Sequence, residues 1–208
     1  MQSSSRRCRS KVAGVRANIM RTLTLAAFVI VVIAISTAPA DAAWKSYISK
    51  DLVFSFKAPG QVEAERGTYR GAIAGPRQTI VFKSTEDNIE YKVTVMSFAQ
   101  AQAEGAILLG ERQYMFQQNK TILTDAFSRV GQGKDSVYGR RIVADLPMNK
   151  GRTTGAFYFT NGKLYSLEAT VLPGNYASPD PGRFIDSIEF ALSRTEPNAV
   201  ELHAQKVE

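Results

Sequence analysis

The sequence has one cysteine, one histidine and one tryptophan, and each scarcity removes a class of chemistry. The cysteine is Cys8 and the histidine is His203, near opposite ends of the chain. A Ser-His-Asp arrangement needs an ordered base within hydrogen-bond reach of its nucleophile. His203, in a polar C-terminal segment, is a poor base of that kind. A zinc site needs several Cys, His or carboxylate ligands, and beyond residue 42 there is no Cys and only that His. Residues 43–208 therefore fold without a disulfide, at a size where a core forms without staples. No catalytic residue, metal site or cofactor is expected. The sequence also lacks a long apolar run. Its clearest, Leu23–Ile35, spans 13 residues, against about 20 for a bilayer-crossing helix.

What that run does have is the setting of an export signal. Met20 and Arg21 precede it, and Ala38-Pro39-Ala40-Asp41-Ala42-Ala43 follow it. A basic start, a short apolar core and small residues at the cleavage site form the secretory pattern. Ala40 and Ala42 occupy the −3 and −1 positions for a cut after Ala42, with cuts after Ala40 or Ala43 close alternatives. No cysteine follows the run, so no lipid attachment site is present. Ser5-Arg6-Arg7-Cys8 lacks the apolar residue and lysine of a twin-arginine signal, and translation from Met20 gives a compact leader by itself.

The leader also changes the meaning of the charge. It holds six of the 26 Lys and Arg and one of the 19 Asp and Glu, which reduces a net charge of +7 to +2 for residues 43–208. Nucleic-acid readers carry a strongly basic domain with clustered cations; this near-neutral domain is not expected to bind nucleic acid.

Beyond the leader the first half reads as short strands. Val53–Phe56 stops at Ala58-Pro59-Gly60, Val62–Tyr69 follows, and Gln78–Lys83 and Ile89–Phe98 are joined by a turn at Thr85–Asn88. Over 102–119 the period becomes helical. Ala103, Ala106, Ile107, Gly110, Tyr114 and Gln117 form the expected inner stripe, with Leu109 and Phe116 beside it. Glu104, Glu111 and Arg112 lie outside it. Gly105 and Gly110 are expected to let the helix approach a sheet. The second half reads as a β-meander: Ile122–Gly131, Val137–Leu146, Thr153–Thr160 and Lys163–Leu172, with Asn161-Gly162 a strong hairpin signal. A short helix opens at Pro179–Gly182, and 193–208 reads as a flexible tail.

A two-residue Asn161-Gly162 loop pairs Thr160 with Lys163 and Tyr158 with Tyr165. A four-residue loop at 148–151 would add Arg141 opposite Tyr158. Sorted by alternation, both faces of the meander are apolar, so helices are expected to cover both. Arg141, Tyr158 and Tyr165 then form one row, a candidate patch for an acidic or aromatic ligand or partner. Such rows also serve simply to support sheets. Gly131-Gln132-Gly133-Lys134-Asp135 fails the phosphate-loop pattern at Ser128 and Asp135 and reads as a turn. Glu86, Asp87 and Asp180 read as solvated turn charges, and Arg183 with Asp186 as a helix-surface ion pair.

The layout resembles the PsbP-like fold, shared by the extrinsic photosystem II protein, DcrB and many small exported bacterial proteins. The residues carrying the likeness are Phe54-x-Phe56-x-Ala58-Pro59-Gly60, Gly139-Arg140, Ala156-Phe157-Tyr158, Asn161–Leu167 and Arg183-Phe184-x-Asp186-Ser187-x-x-Phe190. The resemblance covers most of residues 50–191. It implies an α+β domain, an antiparallel sheet ending in a meander and covered by helices on both faces, an α/β/α sandwich. It also implies a largely non-enzymatic family with diverse partners, and function from fold alone is analogy.

The resulting expectation is a leader at 1–42, one domain at 43–192 and a tail at 193–208. The domain is a periplasmic or secreted non-catalytic protein that binds an envelope protein or a small ligand, with no stable membrane anchor once the signal is cleaved. The alternative is a carboxylate-dependent hydrolase of envelope polymers. N-terminal sequencing of the secreted product is expected to read from Asp41, Ala43 or Trp44; a mature chain beginning before Leu23 would remove the case for export.

Overall fold

Two tight turns set the frame of the sheet. Asp87 and Asn88 have φ of 49° and 63°, and Asn161 and Gly162 have φ of 50° and 69°. These left-handed pairs match the twist of a two-residue hairpin. In the computed structural model, which describes residues 43–71, 73, 75–99, 104–190 and 197–203, each turn joins two long strands. The leader with its cleavage site, residues 193–196 and residues 204–208 lie outside the described residues.

The elements are β1 (Lys45–Ser49), β2 (Phe54–Ala58), β3 (Glu63–Gly71), β4 (Gly75–Glu86), β5 (Ile89–Ser97), α1 (Gly105–Gln117), β6 (Thr121–Val130), β7 (Val137–Asp145), β8 (Arg152–Thr160), β9 (Lys163–Val171), α2 (Asp180–Asp186) and β10 (Val200–Glu201). Seven strands form one antiparallel sheet in the order β3-β4-β5-β9-β8-β7-β6. The meander is therefore present as β6 to β9, and β5 pairs with β9 to join it to the first half. A smaller sheet runs β10-β1-β2.

The Asn161-Gly162 hairpin has the expected register, with Thr160 opposite Lys163 and Tyr158 opposite Tyr165. The β7–β8 register differs by two residues. The Leu146 N–H donates to the Gly151 carbonyl at 2.9 Å, so the loop is Pro147–Lys150 rather than 148–151. Pro147, with its φ fixed and no N–H to give, starts the turn one residue earlier than expected. Tyr158 thus faces Gly139, and Arg141 faces Ala156.

Both faces of the sheet are buried. One face presents Met96, Leu164, Ile142, Ala144 and Phe157, and α1 lies on it through Leu108, Leu109 and Phe116. The other presents Phe82, Tyr91, Val93, Val95, Tyr158, Tyr165 and Leu167. Helical cover on this second face is only partial. The β1–β2 hairpin contributes Tyr47, Phe54 and Phe56, and the seven-residue α2 adds Phe184 and Ile185. Aromatic edges lock these parts together, with Phe54 and Tyr165 centroids 5.5 Å apart and Tyr91 and Phe184 5.2 Å apart.

Two further expectations change. The inner stripe of α1 is Gly105, Leu108, Glu111 and Phe116, while Ile107 and Tyr114 are 54% and 62% exposed. Apolar residues are spread around this helix, so period alone does not choose its face. Part of the expected tail is ordered: β10 pairs parallel to β1, the Leu202 N–H donates to the Ile48 carbonyl at 2.7 Å, and Leu202 is buried.

The close approach of α1 to the sheet depends on Gly105, where a Cβ would stand 2.4 Å from Cδ1 of Phe159; at Gly110 a Cβ meets nothing within 4 Å. Gly105→Val is expected to cost about 1–3 kcal/mol and Gly110→Ala to add about 0.5–1 kcal/mol, read by denaturant unfolding. Equal effects at the two positions would show that the helix does not sit this close.

Candidate functional site

The α1 face of the sheet is not uniformly apolar. Charged and hydroxyl residues occupy its β3–β4–β5–β9 side, where alternation places Glu65, Gly67 and Tyr69 of β3, Thr79, Val81 and Lys83 of β4, and Lys92 and Thr94 of β5. On β9, Glu168 stands opposite Lys92 and Ser166 opposite Thr94. The helix adds Arg112 and Met115, which overhang this part of the sheet.

The centre of the arrangement is Glu168. Its carboxylate takes an ion pair from Lys92 at 3.1 Å and a close one from Arg112. The Ser166 hydroxyl donates to Glu168 Oε1 at 3.1 Å and accepts from Arg112 Nε and Nη2 at 3.2 and 3.0 Å. The Arg112 guanidinium also lies 5.4 Å from the Phe157 ring centroid. Burial alone would raise the Glu168 carboxyl; Arg112 and then Lys92 outweigh it and hold its pKa at about 2. Nearby, burial lowers the Lys120 ammonium to about 8 although Glu168 pulls the other way. Its Nζ rests 3.3 Å from the Phe116 ring centroid.

Beside this cluster lies a cleft of about 330 Å³. Its floor is Gly67, Thr79, Val81, Thr94 and Met96, and its walls carry Lys83, Lys92, Arg112 and the acidic Glu65. Lys83 pairs with Glu65 at 2.5 Å, and Lys92 and Arg112 share Glu168. The buried Tyr69 hydroxyl, also at the cleft, lies beside the Glu111 carboxylate. Burial, with the Glu111 carboxylate beside it, raises that phenol to about 12, so it stays a proton donor. The cleft thus offers three cations and several hydroxyls, with Glu65 as its acidic residue, a lining suited to a small anion.

The residues expected to form a ligand patch lie elsewhere. Tyr158 and Tyr165 do oppose each other, but both are buried, at 1% and 0% exposure. The Tyr165 hydroxyl donates to the Leu52 carbonyl at 2.6 Å, and that of Tyr158 shares a 2.6 Å hydrogen bond with Ser128. Arg141 sits two pairs further along, opposite Ala156, and binds Asp186 at 2.6 Å. That contact replaces the expected Arg183–Asp186 pair; the Arg183 guanidinium stacks 4.2 Å over Trp44. A wider hollow of about 1580 Å³ at the β6–β7 turn includes Tyr158, Lys134 and Asp186. Its charges are of both signs and its Ser128–Tyr158 pair is already satisfied, so its chemistry is less directed.

Among the described residues there is no group of three or more His, Cys, Asp or Glu that could hold a metal ion, and no helix long and apolar enough to cross a membrane. Sequence reasoning missed Lys92, Arg112, Ser166 and Glu168. The signal present was Glu168 itself, a carboxylate inside the apolar run Leu167–Ala169, where an unpaired charge is not tolerated.

No family model and no curated protein matches the sequence. Among solved structures the chain is similar to the solution structure of cyanobacterial PsbP (CyanoP) from Synechocystis sp. PCC 6803, with a TM-score of 0.45 and 12% identity, over 74% of this chain and 96% of that chain. This is a distant likeness of fold and says nothing about the cleft.

Glu168 is depressed from its ordinary 4.5 to about 2, so its stabilisation is fully present above pH 4.5 and lost as pH falls through about 2. Glu168→Gln is expected to cost about 3 kcal/mol at neutral pH, because it leaves Lys92 and Arg112 without their counter-charge. The variant should also lose the part of the stability slope between pH 4.5 and 2 that this carboxyl contributes. Urea unfolding across that range checks both.

Proposed function

We propose that the mature chain is an exported, non-catalytic binding protein of the cell envelope, and that its ligand is a small anion held in the cleft beneath α1. The observation that carries this reading is the cleft wall. Three cations, Lys83 and Lys92 from two strands and Arg112 from the helix, converge on one hollow. Glu168 takes up part of that charge and holds Arg112 and Lys92 in place before any ligand arrives, which reduces the ordering cost of binding. The apolar leader and its alanine-rich junction support export. The accompanying fold reading is a PsbP-like sandwich with a helix against each face. It is supported by α1 and α2 burying residues on opposite faces of the sheet.

The hydrolase alternative needs a carboxylic acid whose pKa is raised toward neutrality. The buried Glu168 carboxylate beside this cleft is moved the other way. Its two cations make it a structural counter-ion and a poor proton donor.

Titration with inorganic phosphate and with citrate is expected to raise the melting temperature saturably, beyond the effect of chloride at matched ionic strength. Lys83→Met, at a side chain 41% exposed, is expected to weaken that response about tenfold or more with little change in the unliganded melting temperature. A response identical for chloride, phosphate and citrate, or one unchanged in Lys83→Met, would reject the cleft as an anion site.

A further inference from the structure

The two edges of the seven-stranded sheet are built differently. At one edge β3 carries Glu63, Glu65, Arg66 and Arg70, and charges of this density discourage another strand from adding. At the other edge β6 leaves Leu123 44% and Phe127 86% exposed, with Asp125 and Arg129 as its charged residues. Its register shifts between Ile122 and Thr124. Beyond that bulge Thr124–Val130 pairs regularly with β7, which leaves seven residues of unbroken ladder at an open edge. Tyr138 of β7, across from Arg129, is exposed as well.

We propose that β6 pairs antiparallel with β6 of a second copy of this chain, about a twofold axis through Phe127. A twofold interface requires a self-complementary surface, and β6 is self-complementary in that register. Phe127 meets Phe127, Asp125 meets Arg129 twice, Ala126 meets Ser128, and Thr124 meets Val130. An axis through Ala126 would set Asp125 against Phe127 and Arg129 against Leu123. An axis through Ser128 would set Arg129 against Phe127 and Asp125 against Gly131. The register through Phe127 joins opposite charges and like aromatics, the pairs that stabilise antiparallel ladders. The side chains are available for it. Asp125 is bound by Arg140 of β7 and by Gln113 and Gln117 of α1, yet its side chain remains 24% exposed. Arg129 is exposed with no partner among the described residues. Arg140 lies 4.7 Å from the Phe127 ring centroid, which steadies the aromatic group at the axis.

Because Cys8 is the chain's single cysteine, a Cys8→Ala background allows each new thiol to report alone. Paired Cα atoms across an antiparallel ladder are about 4.5–5.5 Å apart, within reach of a disulfide. Phe127→Cys is expected to form a disulfide-linked dimer on mild oxidation, whereas Leu123→Cys, far from its symmetry mate, remains monomeric. The full chain with Cys8→Ala alone is expected to sediment as a concentration-dependent dimer below about 100 µM. Arg129→Asp, which turns both cross-strand pairs repulsive, should raise the dimer dissociation constant roughly tenfold at unchanged melting temperature. The proposal is overturned by a monomer throughout that range, by Leu123→Cys cross-linking as readily as Phe127→Cys, or by a dimer indifferent to Arg129→Asp. It is equally overturned if β6 takes a strand of a different protein while the chain itself stays monomeric.

Discussion

The antiparallel pairing of β5 with β9, from Ile89–Val171 to Ser97–Lys163, is the constraint on which the other parts depend. It is the one place where the first half of the chain joins the meander within the large sheet. It aligns Tyr91, Val93 and Val95 with Leu167 and Ala169 on one face, and Met96 with Leu164 on the other. Without that alignment the β1–β2 hairpin has no floor and α1 no continuous surface. The pairing is non-local, so the entropy of closing the intervening chain must be met before the contacts repay it. The local hairpins at Asp87-Asn88 and Asn161-Gly162 prepare both strands in advance.

The Lys92–Glu168 pair specifies that register. A slip of one residue would turn both charges into the opposite face, where Tyr91, Val93, Leu167 and Ala169 pack. A buried ion pair contributes little net stability compared with a well-packed apolar pair. Its value here lies in making the wrong alignments costly. Arg112 extends the same logic to the helix. By binding Glu168 and Ser166, it fixes where α1 lies along the strands. The side chains that secure the fold are thus the ones that give the neighbouring cleft its charge.

What could be read in the sequence was what local chemistry decides. Asn161-Gly162 requires left-handed backbone, so that hairpin and its register were legible, and so were the strands of the large sheet, whose apolar runs are bounded by turn residues; β1 and β10 of the smaller sheet were not. The face of α1 was not. Glu111 is buried because the Ile73 N–H donates to it at 3.0 Å and Tyr69 lies beside it, and both come from a distant segment. The β7–β8 register turned on a single hydrogen bond, Leu146 to Gly151, which composition does not encode. The cleft was illegible for the same reason as the β5–β9 pairing: Lys92 and Glu168 become neighbours only when two halves of the chain meet.

The smaller sheet carries a consequence for the order of assembly. β1 has β2 on one side and β10 on the other, and β10 is made after every strand of the large sheet. Until Val200 and Glu201 are made, the first strand of the domain keeps one bare edge, with Tyr47 and Ile48 lacking their parallel partners. β10 therefore acts as a latch on β1. A product truncated before Val200 would keep every strand of the large sheet and still present an open template at β1, the feature by which incomplete chains capture one another.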